Sequence, residues 1–308
     1  MIYDLAIIGG GPAGVAAGVY AARKRIKTVF ITESFDSQST VSDNIQNWIG
    51  TVSISGRDLT TNLEKHLRAY AADVVDLKIK ERVIDLQKSG EKIFTIKTNK
   101  SEYQAKTVLI TTGSVRKKIT VKGADEFENK GITYCATCDG PLFSDMDVVV
   151  IGGGNSAFES ALQLAAYTKS VTILQRSQFR ADKITVQKAF SDPKIKGYEN
   201  VDLLEIKGDK FVNGVVYKNR NTGETVELPV TGVFVEIGAN PSVEYVKNGI
   251  LKLNEVEQII TDPRTQATSQ IGIWSAGDCT DGLYKQNNIA AGDAIKAIEN
   301  IYGYLKME

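Results

Sequence analysis

The chain has 308 residues, enough for two domains of typical size, and its 37 Lys and Arg balance 37 Asp and Glu. That balance excludes a general field for nucleic acid or an anionic membrane surface, so any partner must be recognised locally. No apolar run approaches the roughly 20 residues of a membrane span. Met1-Ile2-Tyr3-Asp4 enters an apolar strand without the basic segment of a secretory leader, and the expected location is the cytoplasm.

In chain order, Leu5–Ile8 reads as a short buried strand, and Gly9-Gly10-Gly11-Pro12-Ala13-Gly14 opens an alanine-rich helix to about Lys24. Thr28–Ile31 reads as the next strand, so this is one βαβ unit. A helix with mixed charges follows over Leu59–Ala72; its His66 reads as a solvated surface residue. Far downstream, Val148–Ile151, the loop Gly152-Gly153-Gly154-Asn155-Ser156-Ala157, a helix through about Ala166 and Val171–Leu174 repeat the same unit.

Between the two units lies Cys135-Ala136-Thr137-Cys138-Asp139-Gly140. Two thiols spaced this way close a small disulfide, and each lowers the pKa of the other, so one is available as a nucleophilic thiolate. Zinc is not expected, because a structural site needs four ligands and the only further cysteine and histidine, Cys279 and His66, stand singly and far from the pair in sequence. Cys279 reads as a buried packing residue.

Each glycine loop has a physical logic. The first glycine allows the tight turn, the second lets backbone N–H groups approach a pyrophosphate, and a small third residue lets helix and strand pack closely. In the first loop these are Gly9, Gly11 and Gly14, with Pro12 and Ala13 at the helix start; Glu33, ending the next strand, suits a ribose with a free 2′-hydroxyl, as in FAD. In the second they are Gly152, Gly154 and Ala157, with Asn155 and Ser156 at the helix start. There Arg176 and Arg180 follow the next strand, where guanidinium groups suit a 2′-phosphate, so NADPH fits better than NADH.

With Gln46–Gly50, Thr111-Thr112-Gly113, Phe179–Lys183, Gly238 in VEIGANP and Gly277-Asp278 in SAGDCTDGLYKQ added, the chain resembles the low-molecular-weight thioredoxin reductases over essentially its whole length. The resemblance implies an α/β fold with two Rossmann-like, three-layer nucleotide-binding domains, the second inserted in the first. Residues 1–117 and 245–308 would form a discontinuous FAD domain, and 118–244 the pyridine-nucleotide domain carrying the dithiol. It implies that Gln38, Asn47, Thr112 and Gly113 approach the flavin, that Asp278 holds its ribityl chain, and that Lys285, Gln286 and Asn287 lie beside the isoalloxazine. It also implies a homodimer and a rotation of one domain against the other, which lets nicotinamide and dithiol reach the flavin in turn. Electrons would pass from NADPH through FAD to Cys138, the flavin-proximal sulfur. Cys135 would attack the disulfide of thioredoxin or a thioredoxin-like protein, with Asp139 as proton donor and acceptor.

The chain departs from that pattern twice. The family's 2′-phosphate motif, His-Arg-Arg, three residues, then Arg, is here Leu174-Gln175-Arg176-Ser177-Gln178-Phe179-Arg180, so a histidine and one arginine are missing. Asp36-Ser37-Gln38 stands where the family has Gly-Gly-Gln, which puts side chains where backbone normally approaches the flavin. These losses leave open NADH as donor, ferredoxin, or a second flavin in the site at 152–157. A flavin-binding module without turnover is disfavoured, because such a module has no use for a dithiol.

Overall fold

The computed structural model describes residues 1–42 and 44–307. Two compact units divide the chain: Met1–Val115 with Asn240–Glu308, and Arg116–Ala239, so the second interrupts the first along the sequence. Among the described residues no helix is long and apolar enough to cross a membrane.

The first unit begins with β1 (Ile2–Ile8), α1 (Pro12–Arg23), β2 (Thr28–Thr32), α2 (Gly56–Ala71) and β3 (Val75–Ile79), followed by β4 (Val83–Lys88), β5 (Phe94–Thr98) and β6 (Glu102–Ile110). The chain leaves along β7 (Ser114–Arg116). The second unit contains β8 (Ile132–Thr133), α3 (Ala136–Asp139), β9 (Asp147–Ile151), α4 (Asn155–Ala165), β10 (Ser170–Leu174), α5 (Lys183–Phe190) and β11 (Ile195–Tyr198). It continues through β12 (Val201–Gly208), β13 (Val212–Asn219), β14 (Thr225–Leu228) and β15 (Gly232–Val235). The chain returns along β16 (Ala239–Pro241), which pairs with β7, and ends with β17 (Ile273–Ser275) and α6 (Asn287–Lys306).

In the first unit a seven-stranded sheet runs β3-β2-β1-β6-β5-β4, with β17 beside the second half of β6. Its centre is parallel, and β4 and β5 are antiparallel. Both faces are covered, which is why β1 reads as an unbroken apolar run rather than an alternating one. Leu5 and Ile7 pack with α1, α2 and α6, while Ala6 and Ile8 pack on the opposite side with Leu86, Ile96 and Ile259.

The second unit repeats this plan with a five-stranded parallel sheet, β11-β10-β9-β15-β8. Val148 and Val150 face the helical side with Phe158 and Leu164; Val149 and Ile151 face the antiparallel layer β12-β13-β14 through Val215 and Tyr217. The protein is therefore α/β with two Rossmann-like domains. In each, the strand order reverses beside the strand that feeds the glycine loop, which is where such sheets open a crevice for a ligand.

Candidate functional site

The two glycine loops share a backbone geometry. Gly9 and Gly152, each the first residue after its strand, adopt φ of +117° and +142°, a region open to glycine and strained for other residues. A Cβ on Gly9 would collide with backbone of Thr111, and one on Gly152 with the carbonyl oxygen of Glu236. Thr111 directly follows β6 and Glu236 directly follows β15, so the loops press against equivalent neighbouring strands. At Gly11 and Gly154, by contrast, a Cβ would meet nothing nearer than 3.9 Å. That open side, at the N-terminus of α1 or α4, is the space a pyrophosphate needs, and the residues present fit a dinucleotide in each unit.

In the first unit a cavity of about 320 Å³ lies at the end of β2, lined by Glu33, Asp36, Thr40, Arg57, Thr60 and Glu64. The adenosine end of a dinucleotide laid on the first loop would extend toward it. The remaining flavin candidates converge from distant parts of the chain. Gln38 Nε2 donates to the Ser114 carbonyl (2.6 Å) and to Asp278 Oδ2 (3.4 Å). Asn47 Nδ2 donates to Gln286 Oε1 at 3.0 Å, and Asn287 Nδ2 donates to Ser39 Oγ at 2.9 Å. Thr112 Oγ1 donates to the Ser242 carbonyl at 2.7 Å. Gly113 has φ of +65° at the turn into β7. Lys285 Nζ donates to the Thr280 carbonyl at 2.6 Å; burial pushes its ammonium down, against the opposing pull of Asp278. Ser39 and Ser114 join this cluster although neither belongs to a motif that sequence reasoning could have flagged.

Asp36-Ser37 takes a form that the sequence does not specify. Ser37 caps a short 3₁₀ turn over Gln38–Val41: its Oγ accepts from Ser39 N at 3.3 Å, and Thr40 Oγ1 accepts from Ser37 N at 2.9 Å. The side chain replaces glycine freedom with a capped turn, while Asp36 is exposed. Cys279 is fully buried; burial pushes its thiol up and keeps it a packing group. His66 is exposed and meets the edge of Tyr70, 5.4 Å between ring centres.

In the second unit Cys135 and Cys138 form a disulfide with Cα atoms 5.3 Å apart, immediately beyond the C-terminal end of β8. Both are half-buried. Cys135 caps the single-turn helix α3: its Sγ accepts from Cys138 N at 3.1 Å, and its carbonyl accepts from Asp139 N at 3.0 Å. Asp139 closes that turn, and its carboxylate accepts the Thr133 hydroxyl. On the other side of Cys135, Tyr134 donates to Glu128 Oε2 at 2.9 Å; burial and that carboxylate push its phenol up, so it stays protonated. Arg116 donates to the Tyr134 carbonyl.

The segment after β10 is tied to the second glycine loop. Arg180 N and Ala181 N donate to the Gly153 carbonyl at 2.7 and 3.1 Å, and Asn155 exchanges hydrogen bonds with Asp182. Beneath it Phe158 meets Phe179 and Phe190 edge-on, with centroids 5.0 and 5.6 Å apart. Phe158→Ala would open a cavity there, and urea unfolding is expected to show a loss of about 3–5 kcal/mol.

Gln175 is buried against Gly153 of the loop and donates to Ser177 Oγ at 3.1 Å. Arg176 is 81% exposed, with Nε 3.6 Å from Asp202 Oδ1. Arg220 already engages both Asp202 oxygens, at 2.7 and 2.6 Å. The structure thus adds a further guanidinium, Arg220 from the β13–β14 turn, beside Arg176.

Two glycine-loop dinucleotide folds, the second carrying a disulfide beyond one of its strands, are the arrangement expected of the flavoprotein disulfide oxidoreductases. More narrowly, the chain belongs to the pyridine nucleotide-disulphide oxidoreductases, whose family model matches residues 3–294. The resemblance to thioredoxin reductases holds in three dimensions. The thioredoxin reductase of Giardia duodenalis superposes with a TM-score of 0.93 at 31% identity, covering 99% of each chain. Curated relatives include a protein named NADH dehydrogenase, from Bacillus subtilis, and a subunit of alkyl hydroperoxide reductase, from Pseudomonas aeruginosa. Each is 38% identical over 305 residues. The chain is covered to 98% in both matches and spans 58% of each relative's length.

Proposed function

We propose that this protein passes electrons from NADPH, through FAD and the Cys135–Cys138 dithiol, to the disulfide of a small protein of the thioredoxin type. The observation that carries the reading is the placement of the half-buried disulfide beyond β8, at the same end of one parallel sheet as the Gly152 loop. The residues that would hold FAD are Gly9, Gly11, Pro12, Ala13, Gly14 and Glu33 for its adenosine diphosphate half. For its flavin half they are Gln38, Asn47, Thr112, Gly113, Asp278 and the stretch 285–287. When bound, FAD supplies the two-electron chemistry that links a nicotinamide to a disulfide.

The thiol chemistry belongs to the chain. Reduction of the Cys135–Cys138 bond takes two electrons and two protons and leaves a dithiol. Cys135, as thiolate, attacks one sulfur of the partner disulfide, forming a mixed disulfide and expelling the other partner sulfur as thiolate. Cys138 then attacks Cys135 Sγ, which restores the internal disulfide and releases the partner's second sulfur. Asp139, fixed by Thr133 within the same helical turn as both sulfurs, accepts the thiol proton and hands it to the leaving thiolate.

NADPH is favoured over NADH by the end of β10. The residue there that would receive two ribose hydroxyls in an NADH site is not a carboxylate but Gln175, which is buried, and Asp202 is occupied by Arg220. Arg176 and Arg180 are both exposed, so their guanidinium groups are accessible to a 2′-phosphate. Arg176→Ala is expected to lower kcat/KM for NADPH about tenfold while leaving NADH nearly unchanged. An anaerobic titration tests the donor directly: NADPH should bleach the oxidised-flavin absorbance stoichiometrically and at lower concentration than NADH. Preference for NADH would reassign the donor. Bleaching by dithionite alone would point to ferredoxin or a second flavin.

A further inference from the structure

We propose that Glu236 reads the carboxamide of the nicotinamide ring. The inference deepens the pyridine-nucleotide reading of the second unit and rests on it. In a parallel sheet of order β11-β10-β9-β15-β8 the strand order reverses between β9 and β15, and a dinucleotide lies across that point at the C-terminal ends of the strands. Its pyrophosphate sits on the loop after β9 and its adenosine half extends over β10, toward Arg176. The other half, with the nicotinamide, extends over β15, and the first residue beyond β15 is Glu236.

The internal repeat supports that placement. Glu236-Ile237-Gly238 follows β15 as Thr111-Thr112-Gly113 follows β6. Gly238 and Gly113 both have positive φ, +90° and +65°, and the first residue of each triplet backs the leading glycine of its loop. The stretch that lines the dinucleotide crevice in the first unit thus has its counterpart at Glu236 in the second.

The carboxyl is held for such a role. Ser160 Oγ, on α4 directly behind the glycine loop, donates to Glu236 Oε1 at 2.7 Å, and among the described residues no donor meets Oε2. Burial pushes the Glu236 carboxyl up, with Arg116 pulling it back and Glu159 adding to the rise. A carboxyl fixed by one oxygen offers the other to the carboxamide NH₂, which orients the ring about its glycosidic bond and sets the face it presents.

The test is calorimetric binding to the holoenzyme of NADP⁺ and of its nicotinamide-free fragment, 2′-phospho-ADP-ribose. Glu236→Ala should weaken NADP⁺ about tenfold and leave the fragment within about twofold. Glu236→Gln, which keeps an acceptor oxygen, should stay within about threefold of wild type for both. Binding of the fragment by the alanine variant shows that its site is folded. Equal loss for both ligands, equal loss in the alanine and glutamine variants, or no loss at all would overturn the assignment. If wild type bound neither ligand, the pyridine-nucleotide reading would fall with it; if it bound both and Glu236→Ala changed neither, only the carboxamide assignment would fall.

Discussion

Cys138→Ser is expected to lower NADPH-dependent reduction of a small protein disulfide by about 10³-fold or more, because no other nucleophile in the site resolves the mixed disulfide. Cys279, the remaining cysteine, is fully buried and has a raised thiol pKa, so it offers no substitute. The variant should still bleach its flavin with NADPH, since the nucleotide loop and its arginines are untouched. Incubated with an oxidised thioredoxin-type partner after reduction, it should trap a covalent adduct through Cys135, visible by intact-mass spectrometry and reversed by dithiothreitol. Cys135→Ser should be as inactive and trap nothing. A Cys138→Ser enzyme that kept more than about a tenth of its rate would remove the dithiol from the mechanism.

Gly14→Ala is expected to yield protein that binds little or no flavin. A Cβ at this position would collide with the carbonyl oxygen of Gly9 and come within 2.9 Å of Thr111 Oγ1, so α1 must move away from the loop that it follows. The overpacking costs about 1–3 kcal/mol, and the displacement falls on the N–H groups that are proposed to hold the pyrophosphate. The ratio of flavin to protein absorbance in the purified variant should fall several-fold, and its thermal midpoint should drop by several degrees. The second loop carries alanine at the equivalent position, Ala157, fully buried, so the two loops differ in how closely helix and strand approach. A Gly14→Ala protein with full flavin content would show that the first loop is not the flavin's anchor.

Much of the fold was legible because its signals are local. The apolar runs of β1 and β9, the glycine loops after them and the alanine-rich helices α1 and α4 follow one another without interruption in each unit. They read as βαβ because tight turns and close packing demand those residue types. The disulfide was legible for the same reason: the spacing of Cys135 and Cys138 fits one turn of helix, and the structure forms the bond there. The outcome at residues 36–37 was not legible. Loss of glycine signalled a changed backbone, but whether Ser37 would clash or cap depended on Thr40 and the turn that it closes.

The sequence by itself determined the two dinucleotide folds, the redox dithiol and the family, because each rests on a short pattern in which neighbouring residues do the physical work. Only the tertiary structure decided which distant groups meet. Gln38 reaches Asp278 across 240 positions, Arg220 comes from a hairpin turn to hold Asp202 beside Arg176, and Ser160 fixes Glu236 behind Gly152. No local pattern encodes those encounters. The antiparallel pairing of β12 with β13 brings Arg220 to Asp202, and in the parallel sheet of the second unit the strand order sets Glu236 beside the loop that follows β9.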